Sequence, residues 1–198
     1  MAGHSVCPWW VGYFLANPLR RLIQDPGRLL VPYVHPGMTV LEPGPGMGFF
    51  TLDLARLVGA TGRVIAVDVE PRMIKGLRRR ARKAGLLDRI DARVNQPTSM
   101  QLDDVEGRID FAFAFAVVHE MPAPAPFFAE TVRALGPGSF LLLAEPAGHV
   151  DVAEFAGEVK AATQAGLSIV GSPLLRGSRT ALLRKPAKLS DPMEAAWP

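Results

Sequence analysis

Blocks of unbroken apolar residues alternate along the chain with stretches whose apolar positions recur at helical spacing. Residues 38–42, 64–68, 109–118 and 140–144 carry the strand-type pattern, the run at 109–118 being the most apolar, and residues 90–94, interrupted by Asp91 and Arg93 and ended by Pro97, read as a weak strand. Between them, residues 49–58 place apolar side chains at 49, 50, 52, 54, 57 and 58, which suits a helix lying on a sheet. Pro71 is well placed for a helical first turn, and Gly85 is a natural stop for the helix that follows. Residues 126–135 read as a helix closed by Gly136-Pro137-Gly138, and 151–165 as a helix with Asp151 as its N-cap. Two last runs, 167–170 and 180–183, flank a Gly/Ser/Pro/Arg stretch and predict a hairpin.

Strands that are apolar on both faces and separated by helices predict a parallel sheet covered on both sides. The fold class expected is α/β: a doubly wound, mostly parallel seven-stranded sheet with helices on both faces, a closing antiparallel hairpin and an N-terminal helical segment. No internal repeat or low-complexity block divides the chain. The expected organisation is a cap over residues 1–34, one domain over 35–186 and a tail over 187–198.

Composition narrows the picture without redirecting it. A chain of 198 residues, 48% hydrophobic and 21% charged, can bury a core and is not a disordered sequence. Its single cysteine, Cys7, cannot form an internal disulfide, which excludes a stapled secreted scaffold and fits a reducing cytoplasm. His4 and Cys7 have a spacing a metal could use, but two ligands define no site, and no metal is expected. The net charge of +3 hides a basic cluster at Arg72, Lys75, Arg78, Arg79, Arg80, Arg82 and Lys83, read as a solvated helix face or a phosphate-binding surface. Residues 1–19 lack any Asp, Glu, Lys or Arg and contain Trp9, Trp10, Tyr13 and Phe14. Without a basic leader or cleavage site this start does not read as an export signal, and no run is long enough to span a membrane. It could pack on the domain, cover a ligand or rest on a membrane surface.

The first strand ends in Glu42-Pro43-Gly44-Pro45-Gly46-Met47-Gly48, directly before a helix. In such a sheet ligands bind beyond the carboxyl ends of the strands, and glycines there let the backbone turn sharply and approach a ligand. A dinucleotide fingerprint needs a small third residue where this chain has Phe49. The observed E-x-G-x-G-x-G places an acid before the glycines, which suits an ammonium or sulfonium better than a pyrophosphate. Asp68 ends the next strand, 20 residues after Gly48, and can accept hydrogen bonds from ribose hydroxyls. A positive group and one ribose without pyrophosphate describe S-adenosylmethionine.

Here the sequence resembles the class I S-adenosylmethionine-dependent methyltransferases over roughly residues 35–186. Val40 through Gly48 is similar to the first motif of that family, and Val64-Ile65-Ala66-Val67-Asp68-Val69-Glu70-Pro71 to the second. Ile109-Asp110-Phe111 through Val118-His119-Glu120-Met121-Pro122 resembles the fourth. Arg133-Ala134-Leu135-Gly136-Pro137-Gly138-Ser139 with the strand that follows resembles the fifth. The resemblance implies cofactor contacts from Glu42, Gly44, Pro45, Gly46, Gly48, Asp68, Val69 and Phe115. The acid the family often sets against adenine is missing near Pro97, leaving Asn95, Gln96 or Thr98 as acceptors.

His119 and Glu120 follow the fourth strand, where the methyl should lie, so His119 is the expected base or substrate-orienting group, with a merely structural rim histidine as the alternative. Glu145 ends the fifth strand at the same edge and could bond substrate or a loop amide; His149 reads as structural. The expected acceptor is a small apolar or aromatic molecule, handled by a monomer or homodimer. Nucleic acid is the rival acceptor, although the Asn/Asp-Pro-Pro-aromatic signature of base methylation is replaced by Val118-His119-Glu120-Met121-Pro122. A non-catalytic cofactor-binding scaffold is the third reading.

Overall fold

A computed structural model describes residues 26–121 and 123–187. The readings placed on His4, Cys7, the Trp9/Trp10/Tyr13/Phe14 segment, Pro122 and the tail beyond residue 187 lie outside these residues. The strands are β1 (Thr39–Pro43), β2 (Arg63–Asp68), β3 (Ile90–Val94), β4 (Ile109–Phe115), β5 (Leu135–Pro146), β6 (Ser168–Gly171) and β7 (Ser178–Arg184). They form one sheet in the order β3-β2-β1-β4-β5-β7-β6. The first five run parallel, and β7 pairs antiparallel with both β5 and β6. This is the doubly wound sheet with a closing hairpin that the apolar pattern predicts.

Period-two alternation sends successive side chains of each strand to opposite faces and builds two cores. Val40, Phe111, Phe113 and Leu142 pack on one face with Leu54 and Leu77 of the helices α2 (Thr51–Leu57) and α3 (Pro71–Lys83). The short helix α1 (Pro26–Leu30) adds Leu30 to the same core. Leu41, Ile65, Leu141 and Leu143 pack on the other face with Phe127 and Phe128 of α4 (Pro124–Ala134) and Ala162 of α5 (Val152–Gln164). Asp151 caps α5 in a reciprocal box: its side chain accepts from Glu154 N at 2.8 Å, while Glu154 accepts from Asp151 N at 3.0 Å. Chain order reverses between β1 and β4, which opens a crevice at the carboxyl ends of those two strands.

Three boundaries depart from the sequence pattern, each for a nonlocal reason. The strand expected over 109–118 stops at Phe115: Ala116 takes φ +53°, and residues Val118–Glu120 form a 3-10 turn. The apolar residues there are drawn off the sheet because a side chain on β5 captures their amides. Helix α4 passes at once into β5, since Leu135 already pairs with Ile109 before the register shifts at the Gly-Pro-Gly stretch. The helix expected over 49–58 begins at Thr51, leaving Phe49 and Phe50 in the turn that carries the glycine loop into it.

Candidate active site

Two rims face each other across the crevice. The first is built by β1, β2 and the turns that leave them. Glu42 sits one residue before the end of β1 and is only 3% exposed, with Oε2 bonded to nothing among the described residues. Burial pushes this carboxyl up to about 8; the nearby Thr51 hydroxyl opposes the rise, and the charge of Asp68 adds to it. Thr51 relieves the strain only in part, because its Oγ and Glu42 Oε2 do not close a well-formed hydrogen bond.

The glycines of this rim do different work. Gly44 has φ +64°, and a Cβ there would come within 2.6 Å of Val117 Cγ2, so the loop must be bare where it passes the opposite rim. Gly46 also has a positive φ, but a Cβ there would meet only open space. Its N–H donates to Asp68 Oδ2 at 3.2 Å, and the amide of Glu70 donates to Oδ1 at 2.9 Å. Burial raises the Asp68 carboxyl to about 6; those two amides restrain it, and the neighbouring charges of Glu120 and Glu70 push it further up.

The second rim is built by β4 and β5. Glu145, fully buried on β5, accepts with Oε1 from the amides of Val117 at 3.2 Å and Val118 at 2.8 Å. Its Oε2 lies 2.6 Å from His119 Nδ1. The hydrogen bond to Glu145 raises the His119 pKa above its usual value, desolvation works against this, and the acids Glu145, Glu120 and Glu158 reinforce it. His149 meets the His119 ring at 6.2 Å between centroids. Glu158, on the buried face of α5, has an unbonded Oε2 and is raised to about 7, mainly by burial and then by Glu145.

Between the rims lies a cavity of about 770 Å³. Glu42, Gly44, Pro45, Gly46, Asp68, Val69, Asn95, Gln96, Thr98, Phe115, His119 and Glu120 all line it, so sequence reasoning and geometry converge on one space. Gly48 does not line it. With φ +83° and no room for a Cβ beside Leu77, Gly48 lets α3 pack closely under the loop. Asn95 Nδ2 donates to Gln96 O at 3.0 Å and Ser99 O at 3.4 Å, closing the turn that presents Gln96 and Thr98, while its buried Oδ1 has no partner among the described residues and remains an open acceptor. Glu145 is withheld from the wall by its three bonds, whereas His149, read as structural, is on it.

Sequence reasoning missed the apolar wall of Met47, Met73, Met100, Met121 and Phe127, and the acids Glu70 and Glu130. No lysine or arginine among the described residues lines the cavity, although the whole chain carries a net charge of +3. The arginine-rich helix α3 points elsewhere: Arg78 donates to Ala92 O at 2.5 Å and Arg80 to Met47 O at 2.6 Å. Among the described residues no cluster of three metal-ligating side chains occurs, and no helix is long and apolar enough to cross a membrane.

Residues 34–173 match the sequence profile of the methyltransferase domain family. The chain belongs to that family. It is a methyltransferase domain of the class I, Rossmann-like type, the class that uses S-adenosylmethionine. The methyltransferase is 36% identical over 115 residues to the ribosomal protein L11 methyltransferase of Pelotomaculum thermopropionicum, covering 58% of this chain and 34% of that one. It is 32% identical over 112 residues to the ubiquinone/menaquinone biosynthesis C-methyltransferase of Shewanella pealeana, covering 56% and 43%. An arsenite methyltransferase of Halobacterium salinarum is 30% identical over 110 residues, covering 56% and 27%. The methyltransferase thus spans less than half the length of these relatives. A SAM-dependent methyltransferase from Aquifex aeolicus has the same fold, with a TM-score of 0.80 at 23% identity over 90% of this chain and 98% of its own.

Proposed function

We propose that this chain transfers a methyl group from S-adenosylmethionine to a small molecule with an apolar or aromatic body. The observation that carries the reading is the make-up of the cavity wall: five acids, of which Glu42 takes its charge only on meeting a cation, and, among the described residues, no lysine or arginine. A wall of that sign repels pyrophosphate and the phosphates of nucleic acid, and it favours a ligand bearing sulfonium and ammonium groups. The residues fit such a ligand, since the orphaned Glu42 oxygen offers an acceptor and the open space at Gly46 lets a ligand lie against the backbone. Asp68 keeps acceptor capacity beyond its two amide bonds for ribose hydroxyls. Gln96 and Thr98 supply polar groups where the adenine acid is missing, and Phe115 supplies an aromatic edge.

When bound, S-adenosylmethionine supplies an electrophilic methyl carbon whose transfer leaves a neutral thioether. The protein's share is alignment of the acceptor with that carbon and removal of a proton where the nucleophile carries one. His119 stands on the opposite rim in position for the second task. The four methionines and Phe127 provide adaptable apolar surface for the acceptor. Calorimetric titration with S-adenosylhomocysteine, with NAD as control, tests the reading. Micromolar binding of the former alone is expected; binding of NAD, or of neither, overturns it.

A further inference from the structure

Glu145 holds a role that neither its burial nor the fold requires. It is fully buried at the end of β5, and it spends every bond on one short segment: two backbone amides and one imidazole, all between residues 117 and 119. A carboxyl needed only to satisfy amides would be served by Oε1 alone. Oε2 is committed to His119 Nδ1 at 2.6 Å, a close approach at the short limit of charge-assisted N–H···O bonds. His119 lines the cavity, whereas Glu145, which holds the Nδ1 edge of the ring, does not.

We propose that Glu145 is a positioning residue that fixes His119 with its proton on Nδ1 and the bare Nε2 toward the cavity, making it the base for an acceptor that must lose a proton. The inference rests on the methyltransferase reading of the cavity and adds the acceptor's chemistry: a hydroxyl, phenolic by the apolar wall. In the step, the acceptor O–H bond breaks and its proton forms a bond to Nε2. The electron pair left on oxygen would form the bond to the methyl carbon as the carbon–sulfur bond breaks, its pair staying on sulfur in the departing neutral thioether, while the imidazolium is held by Glu145 until it returns its proton to water. The groups facing the ring set the balance: Glu145 from β5, Glu120 from the 3-10 turn, Glu158 from α5 and His149 from the β5–α5 loop. Three of these are acids, so the protonated ring that forms in the step meets favourable charge.

The test is long-range 1H–15N correlation of the histidine rings in the full chain across a pH titration, with His119→Asn supplying the assignment. Neutral His119 is expected as the Nδ1–H tautomer, with a pKa above its ordinary value. In Glu145→Gln, Oε1 still accepts from the Val117 and Val118 amides, but the amide nitrogen donates to Nδ1. The tautomer should flip to Nε2–H, and the ring's proton affinity should fall by at least about tenfold. An Nε2–H tautomer in the wild type, or an unmoved pKa in the variant, overturns the proposal; the wild-type spectrum decides even if the variant fails to fold. Titration of both proteins with S-adenosylhomocysteine separates the two readings, because equal binding leaves the cofactor site intact whatever the tautomer shows. For the acceptor, 4-butylphenol and 4-butylthioanisole share one apolar body. Transfer of labelled methyl to the phenol alone is expected, and transfer to the thioether or to neither overturns the phenolic assignment.

Discussion

The two rims of the cavity hold buried carboxyl groups in opposite states. On the β1–β2 side, Glu42 is buried with a free oxygen and Asp68 is held by two amides and, among the described residues, by no cation, so burial raises both well above the usual range. On the β4–β5 side, the fully buried Glu145 has both oxygens engaged within its own structure. A buried carboxyl without a partner costs free energy until something binds it, whereas one already paired fixes the geometry of its partner. The first rim is built to be completed by a ligand, and the second is complete beforehand. On the proposed reading, cofactor binding and chemistry should therefore be separable by mutation.

The largest effect should come from the finished rim. His119→Ala should lower turnover by about 10²–10⁴-fold, the usual range for a lost acid–base group, and leave S-adenosylhomocysteine affinity within about twofold. A matching loss of affinity would mean that the rims are not distinct. Asp68→Ala should weaken S-adenosylhomocysteine by roughly 30- to 100-fold through loss of charge-assisted bonds to the ribose, read by calorimetry. Unchanged affinity would move the ribose elsewhere. Gly48→Ala should destabilise the fold by about 1–3 kcal/mol, because φ is positive and Leu77 fills the space, yet affinity measured on the folded fraction should hold. Denaturant unfolding of the variant beside its binding isotherm makes that distinction.

The smallest effect carries the finest information. Glu42→Gln should cost about tenfold in affinity at pH 8 and less at pH 6, because the wild-type carboxyl must shed its proton to meet a cation. Binding to the wild type near pH 7 should release up to about one proton, visible when calorimetry is repeated in buffers of different ionisation enthalpy. Without ligand the sign is reversed. A carboxyl raised from 4.5 to about 8 binds more protons folded than unfolded, so its contribution to stability is present at low pH and is lost as pH rises through that window. Thermal melts of wild type and Glu42→Gln should diverge as pH rises from 4.5 to about 8, with the variant the more stable; parallel curves would remove Glu42 from the account.

Most of the sheet was legible because buried parallel strands write themselves as short apolar runs, and Glu42 and Asp68 stand out as acids closing two of them. Glu145 closes another such run and was legible as a candidate, but not its pairing, since the amides it captures lie 27 and 28 residues away. The same capture ended β4 early, where sequence alone extends an apolar strand to Val118. The methionine wall was hidden for a related reason: Met47, Met73, Met100 and Met121 come from four separated stretches with no shared period. Glu158 did leave a trace. It falls on the stripe of Phe155, Val159 and Ala162 that α5 turns toward the sheet, and an acid on such a stripe signals a buried electrostatic neighbour.

Gly44 lies against Val117 so closely that a single methyl group would collide with it. The loop that would meet the donor and the turn that carries His119 are therefore two sides of one close contact. Among descendants of this sequence, a residue larger than glycine at position 44 should survive only alongside a smaller one at 117. The two positions should then change together, and a donor loop grafted from another member of the family will work only if it arrives with its own opposing turn.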